Sequence, residues 1–211
     1  MKIDPTTLDP RALHRLFFAL NIPRPVALVS TIGKDGVFNV GTYASVLSVI
    51  VPRPLLCIGT ATEWNPAEDR YAQDRDTLVN VRYSKDFVVN FVDEALAEAQ
   101  LIAGRGYPIG VDEFKEAGLT PVKADIVKAP MVAESPINSE CKLVKIIEFG
   151  DSPFTFNLIF GEVVRVHVKD EFYADGEIQP SRLKAIGKLG TDFYCRTTDV
   201  FEMKEPDDRP W

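Results

Sequence analysis

Apolar positions near the start of the chain recur at helical spacing. Leu13, Leu16, Phe17 and Leu20 fall on one face, and Arg11, His14 and Arg15 on the other. Asp9 supplies a cap and Pro10 suits the first helical position, so a short helix is predicted from Asp9. The period then changes. Val26, Ala27, Leu28 and Val29 form a nearly continuous apolar run, as in a strand buried on both faces. Gly33, Asp35 and Gly36 mark a turn, and Val37 to Thr42 read as the returning strand of a hairpin. Leu55 to Gly59 is a third strand, set off by Pro52 and Pro54. Asn65 before Pro66 predicts a short helix over 67–73, and Asp76 or Thr77 caps another that reaches about Tyr83. Phe87 to Val92, rich in β-branched and aromatic residues, is a strand. Asp93 caps a helix from Glu94 to Ala103 that Gly104 ends, and Asp112 to Ala117 form one more, stopped by Gly118. Beyond that the chain is mostly strand. Cys141 to Phe149 and Phe154 to Val168 make a long hairpin about the turn Gly150-Asp151-Ser152-Pro153.

Helices therefore sit between hairpins without alternating regularly with strands. That pattern speaks against a doubly wound parallel sheet and for a mainly β fold, an antiparallel barrel with inserted helices. No internal repeat or linker divides the chain. One domain over 1–211 is expected, with residues 1–20 as a helical extension and 204–211 as a polar, proline-containing tail.

Composition narrows the partners. The 211 residues carry 24 Lys+Arg against 31 Asp+Glu, a net charge of −7, which disfavours nucleic acid and anionic membrane surfaces as ligands. No apolar run is long enough to span a membrane, and the first residues lack the apolar stretch of a secretory signal, so a cytoplasmic protein is expected. Three widely spaced cysteines and two histidines, His14 and His167, offer neither a disulfide framework nor a zinc site, and no metal is expected. His167 alternates with Val166 and Val168 and reads as a solvent-side or hydrogen-bonded strand histidine.

Several motifs fail on context. The run Gly104-Arg105-Gly106-Tyr107-Pro108-Ile109-Gly110 has the wrong spacing for a dinucleotide loop and follows a helix. Ser181-Arg182-Leu183-Lys184 matches SxxK without its companion motifs, and no nucleophile–base pair stands out. What remains lies between Ile22 and Asn90. Hydroxyls gather at strand ends, at Thr42, Ser45, Ser48, Thr60 and Thr62. Arg24 and Arg75 stand in turn-like or helix-start contexts, and Thr77 lies where a helix would offer free N–H groups. Hydroxyls, N–H groups and a cation or two suit a phosphate monoester, although serine and threonine also decorate loops and caps for structural reasons.

The order of these segments resembles the flavin reductase-like family of FMN-binding split barrels, which includes flavoredoxins. The quoted pieces are Arg24-Pro25-Val26-Ala27, Thr42-Tyr43-Ala44-Ser45, Pro52-Arg53-Pro54-Leu55, Arg75-Asp76-Thr77 and Phe87-Val88-Val89-Asn90. The match continues through Tyr107-Pro108-Ile109-Gly110, Glu134-Ser135-Pro136, Gly161-Glu162-Val163-Val164 and Leu189-Gly190 with Tyr194, so it covers roughly residues 20–196. The resemblance implies a six-stranded antiparallel split β-barrel of Greek-key type that forms a homodimer and binds FMN near the subunit interface. It implies that Thr42, Tyr43, Ala44 and Ser45 line the flavin ring and its side chain, and that Thr60 and Thr62 approach the ribityl and phosphate. It places Arg75 and Thr77 on the phosphate, with Arg24 as a further phosphate contact and Tyr194 near the ring. No residue is assigned as a catalyst. The implied activity is NAD(P)H-dependent flavin reduction with hydride passing to flavin N5, feeding a small-molecule acceptor or a redox partner protein. The alternative is a flavoredoxin-like carrier with bound FMN and no direct turnover of NADH or NADPH. Three departures are visible. Arg75 replaces the family's usual lysine, Arg53 stands where many members have a proline, and Phe156 stands where nicotinamide-using members often carry histidine. The last of these points toward the carrier.

Overall fold

The computed structural model describes residues 1–50, 52–65, 70–108, 110–151 and 155–203. The predicted first helix is present as α1 (Pro10–Leu20), and Asp9 accepts the backbone N–H groups of Arg11 and Ala12 at 2.9 and 3.0 Å. A two-residue strand, β1 (Arg24–Pro25), precedes the first hairpin, β2 (Ala27–Ile32) and β3 (Phe38–Tyr43). Its register sets Ala27 opposite Tyr43 and Ile32 opposite Phe38, and Gly36 takes the turn at φ +84°. Next come β4 (Val46–Ile50) and β5 (Pro54–Ala61), an antiparallel pair. The helix expected over 67–73 differs. Residues 66–69 lie outside the described residues, and 70–73 are a strand, β7 (Arg70–Gln73), paired with β6 (Glu63–Asn65). A local cap signal loses there to cross-strand backbone pairing, with Trp64 and Tyr71 as register partners.

The predicted second helix is α2 (Asp76–Ser84), with Arg75 at its N-cap and Lys85 at φ 64° closing it. β8 (Asp86–Phe91) follows, then a single 3₁₀ turn, in which Asp93 accepts the Leu96 N–H, and α3 (Ala97–Ala103) and α4 (Glu113–Glu116). Two short strands, β9 (Pro121–Val122) and β10 (Met131–Val132), pair with each other. The long hairpin is β11 (Ile137–Phe149) and β12 (Phe156–Val168). Residues 152–154 of its expected turn lie outside the described residues. The chain closes with β13 (Tyr173–Ala174), β14 (Glu177–Ile178), α5 (Pro180–Leu183), β15 (Ile186–Leu189) and β16 (Phe193–Arg196). No helix among the described residues is long and apolar enough to cross a membrane.

The main sheet has seven strands, not six, in the order β3-β2-β8-β11-β12-β5-β4, and every neighbouring pair is antiparallel. β3 and β4 are its two outer strands, yet only Ala44 and Ser45 separate them in sequence. So short a link spans roughly 11 Å at most. The sheet must therefore curl until its edges meet at this corner. The Ser45 carbonyl accepts the Gly59 N–H at 2.8 Å there. No ladder joins β3 to β4 among the described residues, so the barrel is split at the corner instead of closed.

The curl explains the unbroken apolar run at the start of β2. Val26 and Leu28 point outward into a core with Leu96, Ala103 and Phe114 from the helical cover. Ala27 and Val29 point inward to Ile58, Leu78, Phe87 and Ile159. Phe87 is fully buried against β12, and a Cβ at Gly161 would come within 2.4 Å of its ring. Only glycine lets the ring pass that close, and burying such a side chain contributes about 1.5–3 kcal/mol. Outside β8, Val88 packs under Ala124, Val127 and Ala129. That cover is pinned by Glu140, which accepts the N–H groups of Asp125, Ile126 and Val127 at 2.7–3.0 Å. His167 lies 2.6 Å from the same carboxylate, so it is a hydrogen-bonded strand histidine.

Candidate functional site

The split corner carries a cleft. Strand alternation turns Tyr43 inward, where it is 5% exposed, and turns Thr42 to the opposite face. The two faces meet different elements. Thr42 Oγ1 donates to the Gln100 carbonyl on α3. The Tyr43 ring lies beside Gly41, and a Cβ at Gly41 would stand 3.1 Å from that ring and 3.3 Å from Thr77 Oγ1 on α2. A cleft of about 400 Å³ opens across this corner. Eight of the ten residues expected at a binding site line it: Arg24, Thr42, Tyr43, Ala44, Ser45, Thr60, Arg75 and Tyr194. They come from β1, the β3–β4 corner, β5, the start of α2 and β16, so the fold brings together segments up to 170 positions apart.

The other two stand apart. Thr77 is buried and lines a small cavity of about 30 Å³ that shares Tyr43 and Arg75 with the cleft. Its hydroxyl donates to Asn39 Oδ1 at 3.0 Å. Thr62 sits just past the end of β5, where its hydroxyl and its backbone N–H both approach the Thr155 carbonyl, at 3.4 and 3.0 Å.

Behind Tyr43 lies a polar network that the sequence reading missed. Asn39 Nδ2 donates to Glu113 Oε1 at 2.8 Å, and Asn39 Oδ1 accepts from both Thr31 and Thr77 at 3.0 Å. Asn80 Nδ2 donates to Thr31 at 3.0 Å. Glu113 also accepts the Val40 N–H at 3.4 Å. Burial pushes the Glu113 carboxyl up to about 7; its hydrogen bonds pull the other way and the nearby Asp76 charge adds to the rise. Burial likewise raises the Tyr43 phenol, partly offset by the Arg75 cation and the Thr77 and Thr60 hydroxyls beside it. Thr60 Oγ1 is buried there without a well-aligned partner, an unusual state for a buried hydroxyl.

The opposite wall is built on Arg24, which is 6% exposed. One guanidinium nitrogen donates to the Gly190 carbonyl at 2.8 Å, and the group lies 4.2 Å from the centre of the Phe18 ring. Tyr194 carries Lys188 over its ring at 5.3 Å and accepts from Gln100 Nε2 at 3.3 Å. Phe156 closes the β5 side. A Cβ at Gly59 would come within 2.6 Å of its ring, so the ring lies directly on that glycine. Gln100 and Lys188 carried no local signal; Asn39 and Glu113 stand within the segments that resemble the family, but their bond to each other spans 74 positions and no local pattern showed it.

A concave, partly apolar cleft with hydroxyls, a helix start and cations on its rim suits a planar ligand that carries an anionic group. The buried Thr60 hydroxyl without a partner fits such an occupant, since a bound polar group would complete it.

Fold and cleft together define a mainly β domain of the split-barrel kind. The chain belongs to the family described as flavin reductase like domain, whose model matches residues 19–182. An uncharacterized protein from Aquifex aeolicus is 34% identical over 93% of this chain and 95% of its own length. Among solved structures, nitrilotriacetate monooxygenase component B from Bacillus cereus is 29% identical with a TM-score of 0.88, covering 96% of this chain and 98% of that one. The 2-nitrobenzoate 2-nitroreductase NbaA of Pseudomonas fluorescens is 27% identical with a TM-score of 0.86, covering 100% and 98%.

Proposed function

We propose that this chain is an FMN-binding flavoprotein that oxidises NADH or NADPH and passes the electrons to a small-molecule acceptor or a redox partner protein. The observation that carries the reading is the convergence of eight family-aligned residues, with the unpartnered Thr60 hydroxyl, on one cleft at the split of the sheet. When bound, the flavin supplies the redox chemistry, taking hydride at N5 and releasing electrons to an acceptor. The chain supplies position and field. Arg75 and the first turn of α2 hold the phosphate. Thr60 completes a hydrogen bond to the cofactor's polar chain. Thr42 to Ser45 form the wall against which the ring lies. The Asn39 network keeps Tyr43 and Thr77 in place behind that wall, so no reorganisation is needed when the ligand arrives.

A second reading has one observation in its favour. Phe156, not histidine, covers the β5 side of the cleft. A carrier that exchanges electrons with proteins needs no nicotinamide contact there. The homodimer belongs to the same proposal. Edge strand β4 exposes Leu47 at 62% and Ile50 at 92% beside the split corner, an apolar edge that a second copy would cover.

The test is a visible absorption spectrum of the purified protein, before and after NADH without oxygen. Flavin bands that bleach with NADH support the reductase. Bands that persist with NADH but bleach with dithionite support the carrier. A protein that stays colourless after incubation with FMN sinks both.

A further inference from the structure

The two walls of the cleft hold two separate sets of cations. Arg75 stands with Thr60, Tyr43 and the start of α2 on the inward face of β3. Arg24 stands with Gln100, Lys188 and Tyr194 on the face that Thr42 points to. A phosphate monoester occupies one end of its cofactor, so the Arg75 end satisfies it and the Arg24 end is surplus.

That surplus end is a built site. Arg24 is 6% exposed, and its Nε is buried without a hydrogen-bond partner. Gln100 is 1% exposed, and its Oε1 is likewise buried and unpartnered. Each lost bond of this kind costs about 1–3 kcal/mol unless something completes it. Both residues line the same cleft, where Gln100 Nε2 donates to the Tyr194 hydroxyl. Lys188 lies opposite Arg24 in the β1–β15 register and over the Tyr194 ring. His14 is close enough that the Arg24 and Lys188 cations, after burial, depress its protonation. Neither Arg24 nor Lys188 pairs with a carboxylate among the described residues. Two clustered cations with no counter-charge, one of them buried with an idle donor, call for an anion from outside.

We propose that the Arg24 end of the cleft is an oxyanion subsite for the second redox substrate, holding a carboxylate or phosphate on Arg24 and Lys188 and an N–H or O–H donor on Gln100 Oε1. The words "second redox substrate" rest on the flavin reading above; the oxyanion subsite itself does not. Two sources share this chemistry. One is an acceptor bearing a carboxylate, and the other is the phosphate of a nicotinamide dinucleotide.

Calorimetric titration of the full chain, with and without FMN, separates them. The probes are benzoate for the carboxylate and adenosine 2′-phosphate for the dinucleotide. Binding of either supports the subsite and names its source. Arg24→Lys keeps the charge but removes the fork and its Nε, and it should weaken the probe by about 10-fold or more. Because Arg24 also supports Gly190, Lys188→Gln provides a variant with no lost backbone contact, and it should weaken the probe by about 3–10-fold. FMN affinity in the Lys188→Gln variant should stay within about 2-fold, since the cofactor phosphate sits at the other end. The proposal is overturned if neither probe binds, or if FMN affinity falls in step with probe affinity, which would put the cofactor phosphate on Arg24. If the wild type ignores FMN but binds a probe that both variants weaken, the flavin reading falls and the subsite stands. If FMN binds and no probe does, the subsite falls alone.

Discussion

The two walls of the cleft differ in how completely their polar groups are satisfied. On the α2 side, Glu113, Asn39, Thr31, Thr77 and Asn80 bond to one another in a connected chain behind Tyr43. On the α3 side, Arg24 Nε and Gln100 Oε1 are equally buried and idle. Buried polar groups are normally paired, and a complete network stiffens the elements that carry it. A completed wall is therefore scaffold, and an incomplete one waits for a ligand. Among the described residues Thr60 is the orphan of the α2 side that lines the cleft, where a cofactor would complete it.

Breaking the scaffold should have the largest effect. Asn39→Ala removes the shared partner of Glu113, Thr31 and Thr77 and should cost about 2–4 kcal/mol of stability, read by urea unfolding. A loss below about 0.5 kcal/mol would mean that water replaces the network and that the contrast between the walls is false. Arg75→Ala comes next. It should weaken FMN binding by about 1.5–3 kcal/mol, the scale of a charge-assisted bond, with little change in unfolding. Equilibrium titration of the FMN-free protein checks it, and unchanged affinity would move the phosphate elsewhere.

Glu113 sharpens the comparison through pH. Its folded value of about 7 lies above the ordinary 4.5, so the folded state binds the extra proton in that window. Stability should fall as pH rises from about 4.5 to about 7, and Glu113→Gln should flatten that slope. Glu140, far from the cleft, has the opposite sign. Burial works against its charge, but the His167 bond and the three backbone N–H donors outweigh it and hold the carboxyl down to about 2. Its stabilisation is present above the ordinary 4.5 and is lost as pH falls toward 2. Denaturant midpoints across the pH range would show both limbs, and a flat profile between 4.5 and 7 would remove Glu113 from the account.

The smallest effect should come from Thr77→Ala. The Thr77 hydroxyl donates to Asn39, so any phosphate contact falls to its backbone N–H, which alanine retains. Stability should drop by about 1 kcal/mol and FMN affinity by less than that. A larger loss of FMN binding than of stability would show that the hydroxyl reaches the phosphate after all.

Much of this was legible before any coordinates. The switch from helical to strand periodicity at Val26, the caps at Asp9 and Asp93 and the long hairpin from Cys141 are local signals, and each matches an element. The helix expected over 67–73 failed in its described part because one proline and one asparagine say nothing about a strand partner. The strand count failed for a similar reason. β4 (VLSVI) is apolar at four of its five positions and lacks the apolar–polar alternation that marks a half-buried strand.

By itself, the sequence determined the mainly β, hairpin-rich plan and the ordered series of hydroxyls and arginines that aligns with a flavin-binding family. Those follow from periodicity, turn chemistry and residue type, which act over a few positions. Only the tertiary structure decided that Thr77 serves Asn39, that Gln100 and Lys188 join the site, and that Arg24 is left with a donor and no acceptor. The placements of Thr77 and Arg24 depend on partners 38 and 166 positions away. Side-chain hydrogen bonds are assigned by distance and direction in space, and the curl of the sheet at Ala44 and Ser45 sets both.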